Sequence, residues 1–387
     1  ELLEAHRSPD AQQVRDIVAK SLELERLEPH ETAALLHVQD EELWQEMFEA
    51  GAEVKRRVYG PRVVTFAPLY CSNLCVNSCL YCGFRSENDT GVRCRLSLDE
   101  IRRETEALVA KGHKRLIVVY GEHPESDIDY MAESIRTMYD VKVGVGGEIR
   151  RVNVNAAPQT VDNYRVLKDI GIGTYQVFQE TYHHDTYRRV HPRGIKADYA
   201  WRLYALHRAQ EAGIDDVAIG ALFGLYDWRF EVMGLLFHTI DLEEKFGGVG
   251  PHTISFPRLE RADNAPLAVR PPHPVSDRDF KRLVTVIRLS VPYTGMIITA
   301  RESAEVRRDV MAVGCTQTDA STRIGIGAYS GEETEQQLER QQFAIGDSRD
   351  LEEVIREQCE MGNLISFCTA GYRCGRTGAQ FMDMAQH

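Results

Sequence analysis

The stretch VVTFAPLYCSNLCVNSCLYCGFR, residues 63–85, joins a run of β-forming residues to a loop that carries four cysteines. Its first part is rich in β-branched and aromatic residues and predicts a strand. Cys75, Cys79 and Cys82 follow at C-x3-C-x2-C spacing, while Cys71 lies beside the predicted strand end. Because parallel α/β barrels place their chemistry after the carboxyl ends of the strands, this stretch predicts a first barrel strand followed by a functional loop.

Short β-rich runs alternate with amphipathic helical segments through the central region of the chain. These runs cover residues 63–70, 115–121, 151–157, 174–180, 216–224, 253–259, 295–302 and 316–324. Eight such units in series favour a parallel (β/α)8 barrel over an open doubly wound sheet, because no fingerprint glycine loop and no domain break interrupts them. We therefore predict an α/β fold of the (β/α)8 barrel type.

The regions on either side of the predicted barrel are helical in pattern. Residues 1–60 have helical spacing and almost no strand signal, so we interpret them as an N-terminal helical segment. The barrel is expected over residues 61–328. Residues 329–387 are polar and helical before a final stretch of small residues, and we interpret them as a C-terminal helical extension.

The composition limits the classes of function. The chain has 387 residues, 43% of them hydrophobic, and a net charge of −13, which argues against nucleic acid or an anionic membrane as the main partner. No apolar run approaches the ~18 residues of a membrane span, and the first residues lack signal-peptide character, so we expect a cytoplasmic protein. In that reducing compartment, clustered cysteines indicate metal binding or catalysis more often than disulfides.

The cysteine loop fits two kinds of metal site. A structural zinc site could use all four thiols, but such sites usually present two well-separated C-x2-C knuckles, which this loop lacks. Three thiolates on a 4Fe-4S cluster would leave one iron without a protein ligand. That open iron would be available to a substrate or cofactor, so the spacing favours the cluster.

The cysteine spacing and the CLYCGF sequence that ends it resemble the radical S-adenosylmethionine (SAM) superfamily. The stretches GTYQVFQETYHHDTY and GVGPHTISFPRL resemble its aromatic amino acid lyases, more the HydG-type tyrosine lyase of FeFe-hydrogenase maturation than the related thiazole-pathway ThiH type, 2-iminoacetate synthase. The resemblance implies a 4Fe-4S cluster that binds SAM and, when reduced, generates a 5′-deoxyadenosyl radical. It further implies cleavage of L-tyrosine between its α and β carbons to p-cresol and dehydroglycine, which in the maturase becomes carbon monoxide and cyanide. Its implied partners are an electron donor such as a flavodoxin or ferredoxin and other hydrogenase maturation proteins.

Three residues match family positions that contact the cofactor. By resemblance, Glu122 after the second predicted strand binds the amino group of SAM, while Glu180 and Arg202 hold its ribose hydroxyls and its carboxylate. An arginine fork suits a carboxylate because two parallel bonds fix its plane. Taken alone, Glu122 could also be a helix cap and Arg202 part of a solvated helix face.

Three more residues are candidates for binding the amino acid substrate. Arg301 follows the seventh predicted strand, where a guanidinium would point into the barrel mouth and bind the carboxylate. Tyr70 and Thr318, at the ends of the first and eighth strands, match family positions that contact the same group. A tyrosine at a strand end is more often a core residue than a ligand.

His252 opens the sixth predicted strand in a stretch that resembles the maturase, where the matching imidazole can ligate an auxiliary iron. The family also carries a second, auxiliary iron–sulfur cluster on a C-terminal C-x2-C pair and a later third cysteine. Here Cys368 is present, its expected partner is Gly371, and Cys374 stands further on before the sequence ends at His387. The chain is a shortened form, its pair is altered, or it lacks that cluster, and the sequence leaves these alternatives open.

Two classes of function follow from these observations. The first is a radical carbon–carbon lyase acting on tyrosine, with a thiazole-pathway 2-iminoacetate synthase or another aromatic amino acid lyase as the alternative. The second is a non-catalytic iron–sulfur or metal scaffold. Spacing alone cannot select an acid or base among His183, His184 and His191, so no catalytic residue is assigned.

Overall fold

The computed structural model describes residues 1–331, 341–369, 380 and 383. The helices are α1 (Leu2–Ala5), α2 (Ala11–Leu22), α3 (Pro29–Leu35), α4 (Glu41–Tyr59), α5 (Leu98–Ala110), α6 (Ile128–Asp140), α7 (Val161–Ile170), α8 (His184–Val190), α9 (Tyr199–Leu203), α10 (Ala205–Glu211), α11 (Trp228–Lys245), α12 (Pro266–Val269), α13 (Asp277–Ser290), α14 (Ala304–Val313) and α15 (Leu351–Glu360), with 3-10 turns at Pro124–Ser126 and Ile195–Ala197. The strands are β1 (Arg62–Ser72), β2 (Arg115–Tyr120), β3 (Lys142–Val143), β4 (Gly147–Glu148), β5 (Arg151–Asn155), β6 (Tyr175–Gln176), β7 (Val217–Gly220), β8 (Thr253–Ser255), β9 (Gly295–Ile298), β10 (Gln317–Asp319) and β11 (Leu364–Ser366).

Parallel strand pairing closes a barrel. The order β1-β2-β5-β6-β7-β8-β9-β10 returns to β1, where Val64 pairs with Gln317 and Phe66 with Asp319. Each predicted β-rich run overlaps one of these eight strands, so the predicted (β/α)8 barrel is confirmed for the part of the chain that the structure describes. Because all eight strands run parallel around the barrel, their carboxyl ends lie at one rim.

Local sequence signals explain where the surrounding helices begin. Helix α5 begins after Ser97, whose side chain accepts the backbone N–H of Glu100, while the Glu100 carboxylate accepts the N–H of Ser97. This reciprocal capping box satisfies two backbone donors that a helix start leaves unpaired. The apolar face of α5, including Ile101 and Leu108, then packs into the core outside the barrel strands.

The N-terminal helices cover the outer helical layer of the barrel. Helix α4 packs against α13 and α14. The buried ammonium of Lys55 donates to the carbonyl oxygen of Met311 at 2.6 Å, and the Ser21 hydroxyl donates to that of Leu289 at 2.8 Å. These contacts join the first sixty residues to the helical layer of the barrel. The boundaries proposed at residues 60 and 328 stay predictions.

The C-terminal extension contains more than helices. After α15, strand β11 pairs in parallel with the start of β1, where Val63 lies opposite Ile365. Residues 341–347 lie across the barrel mouth, where the Gly83 N–H donates to the Gln342 carbonyl oxygen, and do not form a separate appendage. Sequence patterning did not indicate either feature. Gly371 and Cys374, on which the second-cluster question depends, lie outside the described residues.

A search of the described helices for membrane spans finds no helix that is both long enough and apolar enough to cross a bilayer.

The buried His113, which follows α5, makes stability depend on pH. Neither ring nitrogen of His113 has a hydrogen-bond partner among the residues the structure describes. Burial lowers the pKa of His113 to about 4 from an ordinary value of 6.5. The unfolded chain therefore binds more protons between these two values, and the free energy of unfolding falls as the pH decreases through that window, by up to about 3 kcal/mol.

We expect His113→Leu to remove this acid-dependent loss and to be at least as stable as the parent at neutral pH. Urea unfolding at about pH 7.5 and about pH 5 measures the difference, which should amount to about 2 kcal/mol at the lower pH. His30→Leu, at an exposed histidine, is the control. An equal loss of stability on acidification in parent and His113→Leu would contradict this assignment.

Candidate active site at the barrel mouth

Two adjoining cavities occupy the carboxyl-terminal end of the barrel. The outer cavity spans about 950 Å³, part of which is open to solvent, and its lining includes Cys75, Cys79 and Cys82. The inner cavity, of about 770 Å³, lies over the strand ends. The two share a wall formed by Val119, Asn155, Phe178, Pro257, Arg301, Gln342 and Phe343. The site can therefore hold two small molecules next to each other.

The cysteine loop is held against the end of the second strand. The Val76 N–H donates to the Glu122 carbonyl oxygen at 2.9 Å, and the Asn77 side-chain amide donates to the Glu122 carboxylate at 2.6 Å. Gly121 makes this approach possible, because a Cβ there would overlap the carbonyl oxygen of Leu74. Glu122 thus orients the loop while also lining the outer cavity.

The surroundings of the three cysteine sulfurs fit thiolate ligands of a cluster. The Phe84 N–H donates to the sulfur of Cys82 at 3.4 Å, and the Asn77 amide donates to that of Cys75 at 3.6 Å. Burial raises the pKa of Cys79 to about 12, so its thiolate form at neutral pH requires a cationic partner such as iron.

The fourth thiol of the loop lies apart from the other three. Cys71, the fourth thiol of the loop, is buried within β1 in the main hydrophobic core and does not line either cavity. Three cysteines spread around one cavity agree better with a cluster, which is larger than an ion.

Opposite charges are paired on the far side of the outer cavity. The Glu180 carboxylate binds the Lys196 ammonium at 2.6 Å and lies 3.5 Å from the Arg202 guanidinium. Burial alone would raise the pKa of Glu180, but the Lys196 and Arg202 cations lower it overall. The Glu180 backbone has a φ of 69°, a left-handed conformation that is uncommon for a residue with a side chain and that clusters at functional sites.

Arg202 is fixed by the backbone just after β6. Its Nε–H donates to the Phe178 carbonyl oxygen at 2.6 Å, which leaves the rest of the guanidinium facing Glu180 and the outer cavity. Because Arg202 is buried, it is not part of a solvated helix face. The structure therefore brings the three proposed cofactor-binding residues, Glu122, Glu180 and Arg202, to the cavity that contains the cysteines.

Arg301 stands in the wall between the two cavities. Its guanidinium stacks on the Phe343 ring at 3.2 Å and makes no hydrogen bond or ion pair with the other residues in the described part of the chain. Burial lowers the pKa of Arg301, but a guanidinium stays protonated at neutral pH. A partly buried cation with free donors favours an anionic ligand such as a carboxylate. Tyr70 lines the inner cavity nearby.

Thr318 does not join this group. Its hydroxyl accepts a 2.5 Å hydrogen bond from Arg307 on α14, so its side chain points to the outer helical layer and lines neither cavity. Successive strand residues face opposite sides of a sheet, and the following residue, Asp319, lines the inner cavity instead. The expectation that Thr318 contacts the substrate therefore has to be corrected.

His252 lies far from the mouth, at the amino-terminal end of β8. Its Nε2 is 4.0 Å from the carboxylate of Asp216, which also binds Arg151 at 2.5 Å. Arg151 in turn donates to the carbonyl oxygen of Cys368 at 3.3 Å. His252 thus faces the opposite end of the barrel, next to the C-terminal segment, and cannot take part in chemistry at the cysteine loop.

Several residues of the mouth were missed by sequence reasoning. Lys196 pairs with Glu180, Asn77 with Glu122, and Gln342 and Phe343 close the wall between the cavities. Asn77 had a usable signal, because it lies inside the cysteine motif. The other three lie in polar segments where no pattern distinguishes them from surface residues.

Comparisons with known proteins assign this site to a family. A model described as the radical SAM superfamily matches residues 69–233, and one described as the biotin and thiamin synthesis associated domain matches residues 255–363. A crystal structure of HydG, a maturase of the [FeFe]-hydrogenase, is 49% identical with a TM-score of 0.94, covering 100% of this chain and 83% of that one. The chain belongs to the radical SAM superfamily, in the family that includes HydG.

Two further relatives agree with this assignment. HydG from Carboxydothermus hydrogenoformans is 43% identical with a TM-score of 0.86, covering 96% of this chain and 83% of that one. The 2-iminoacetate synthase of Salmonella typhimurium is 29% identical over 341 residues, 87% of this chain and 86% of that protein. This radical SAM protein is accordingly an enzyme that uses a 4Fe-4S cluster and SAM, and the scaffold interpretation is not retained.

We expect Gly121→Ala to weaken cluster binding in this radical SAM enzyme, because the added methyl group would push the Leu74 carbonyl and the cysteine loop away from β2. Iron and sulfide per chain after anaerobic reconstitution, with the visible absorbance of the cluster, measure the loss. Gly325→Ala is the matched control, since a Cβ there makes only ordinary contact with Ala328 at 3.5 Å. Full iron loading of Gly121→Ala would show that the close approach is not required.

Proposed function

We propose that this radical SAM enzyme cleaves the Cα–Cβ bond of L-tyrosine and produces p-cresol and dehydroglycine. The observation that carries the proposal is the guanidinium of Arg301, which stands between the two cavities, stacks on Phe343 and makes no hydrogen bond or ion pair with the other residues described. An amino acid whose carboxylate binds there would have its α carbon near the wall to the outer cavity. Its side chain would then extend into the inner cavity.

The walls of the inner cavity support an aromatic substrate. They combine apolar side chains with polar and charged ones; the apolar set includes Phe66, Ile117, Phe178, Phe256, Ile297, Ile324 and Phe343, and the polar and charged set includes Asn155, Gln176, Ser255, Thr322, Glu302 and Asp319. The apolar side chains suit an aromatic ring, and the polar groups are available to orient its polar substituent. The 2-iminoacetate synthase relative supports the proposed product, because 2-iminoacetate and dehydroglycine are two names for the same compound.

The residues of the outer cavity are proposed to hold the cofactors. Cys75, Cys79 and Cys82 would ligate the cluster, and Glu122, Glu180 and Arg202 would bind SAM through its amino, hydroxyl and carboxylate groups. With both groups bound, one-electron reduction would cleave a carbon–sulfur bond of SAM and supply the radical that abstracts a hydrogen atom from the substrate. The protein's own contribution is to hold the substrate against the shared wall and to exclude water.

We also propose that the product enters hydrogenase maturation, with a flavodoxin or ferredoxin as the reductant. The HydG relatives support this pathway, while the 2-iminoacetate synthase relative supports thiazole synthesis as the alternative. An auxiliary iron bound at His252 would favour hydrogenase maturation over thiazole synthesis; His252 faces the C-terminal segment at the opposite end of the barrel. A lower iron content per chain in His252→Ala than in the parent would support such an iron, and equal iron contents would count against it.

The activity itself is tested on anaerobically reconstituted and reduced enzyme with SAM and L-tyrosine. We expect 5′-deoxyadenosine and p-cresol to appear together. Deoxyadenosine without p-cresol would retain the radical SAM assignment and reject tyrosine as the substrate. Tryptophan in place of tyrosine tests the nearest rival, because an indole is larger than a phenol.

Replacing Arg301 by Lys should raise the KM for tyrosine about tenfold, since an ammonium keeps the charge but cannot form two parallel bonds to a carboxylate. Cleavage of SAM in the absence of tyrosine should change much less. Arg261→Lys, at an exposed arginine on the same rim, is the matched control. An equal loss of tyrosine turnover and of uncoupled SAM cleavage would assign Arg301 to the cofactor instead.

A further inference from the structure

Residues 341–347, here called the mouth segment, cross the open end of the barrel and touch the cysteine loop. The Gly83 N–H donates to the Gln342 carbonyl oxygen at 3.0 Å. At its other end, the Gly346 N–H donates to the Ala300 carbonyl oxygen at 2.7 Å, and the Asp347 carboxylate binds the buried Arg307 at 2.5 Å. The segment is therefore fixed on both sides of the cavities.

The side chain of Gln342 joins the cysteine loop to the inner cavity. Its Nε2 donates to the Cys82 sulfur at 3.6 Å, and its Oε1 accepts the Tyr70 hydroxyl at 3.1 Å. Burial raises the pKa of Tyr70, so the phenol stays protonated and can act only as the donor to this oxygen. With the amide oxygen thus occupied, the NH2 group faces the sulfur.

The backbone around this contact is shaped for close approach. A Cβ on residue 83 would lie 2.6 Å from the Gln341 carbonyl oxygen and 3.1 Å from that of Gln342. Glycine at position 83, directly after Cys82, therefore lets the mouth segment reach the cluster-binding loop. Two backbone hydrogen bonds, from Gly83 and Gly346, hold the mouth segment in place, and the Tyr70 hydroxyl holds the Gln342 side chain. The hydrogen bond from Gln342 to the sulfur is therefore fixed by its surroundings.

We propose that Gln342 is a positioning residue that raises the reduction potential of the 4Fe-4S cluster by donating its amide N–H to the Cys82 sulfur. Reduction adds negative charge to a cluster and its sulfurs, and the positive end of an N–H dipole stabilises that charge. Hydrogen bonds to the cysteine sulfurs are one of the factors that set iron–sulfur potentials. Tyr70 keeps the amide in the donating orientation. This role goes beyond the proposed lyase reaction and does not depend on which substrate the enzyme uses.

The test is a redox titration of the reconstituted full chain followed by electron paramagnetic resonance, without SAM or tyrosine. Gln342→Met keeps the length of the side chain and Gln342→Leu keeps its branched end, and each of them removes the N–H donor. Both should shift the cluster potential to more negative values than in the parent. The resonance arises only from molecules that hold a reduced cluster, so incomplete loading does not prevent the comparison.

Ile345→Val is the matched control, because Ile345 is in the same segment and lines the inner cavity but has no side-chain hydrogen-bond donor. Its potential should equal that of the parent. Parent-like potentials in both Gln342 variants would overturn the proposal. A shift in Ile345→Val as large as in Gln342→Met would also overturn it, because displacement of the segment would then account for the effect.

Failure of the proposed function is distinguishable from failure of this inference. An enzyme that makes no p-cresol can still show the potential difference between the parent and Gln342→Met, since the titration contains no substrate.

Discussion

The pairing of β1 with β10 is the contact on which the other features of the site depend. Because Val64 lies opposite Gln317 in parallel register, the first and last barrel strands end at the same rim. The loop after β1 then lies beside the loops after β2 and β9, which carry Glu122 and Arg301. These residues are far apart in the chain, and only a closed parallel sheet makes their side chains neighbours.

The charged groups at the mouth differ in how fully they are paired. Glu180 is matched by Lys196 and Arg202, so the outer cavity presents an ion pair whose polar atoms are already arranged before SAM binds. Arg301 instead stacks on an aromatic ring and keeps its donors toward the cavities. If a carboxylate binds Arg301 as proposed, the protein would not have to reorganise around it, because the cost of burying the cation is met during folding.

The mouth segment makes the C-terminal extension part of the active site. Gln342 and Phe343 complete the wall that separates the two cavities, and Asp347 anchors the segment through Arg307. Arg307 also binds Thr318 and Asp319, so the ion pair that holds the segment reaches the last barrel strand. Asp347 of the mouth segment and Asp319, which lines the inner cavity, therefore share the guanidinium of Arg307.

The sequence by itself determined the local features. Alternating β-rich and helical segments predicted the barrel, and C-x3-C-x2-C spacing predicted a cluster loop, because both patterns arise from residues near each other in the chain. The placement of Arg301 after a strand was likewise predictable from the rule that strand ends carry function. Only the tertiary structure decided that Thr318 faces α14, that His252 lies at the opposite end of the barrel, and that Gln342 contacts Cys82. Each of these depends on strand facing or on a contact between distant segments, and neither leaves a periodic signal in the sequence.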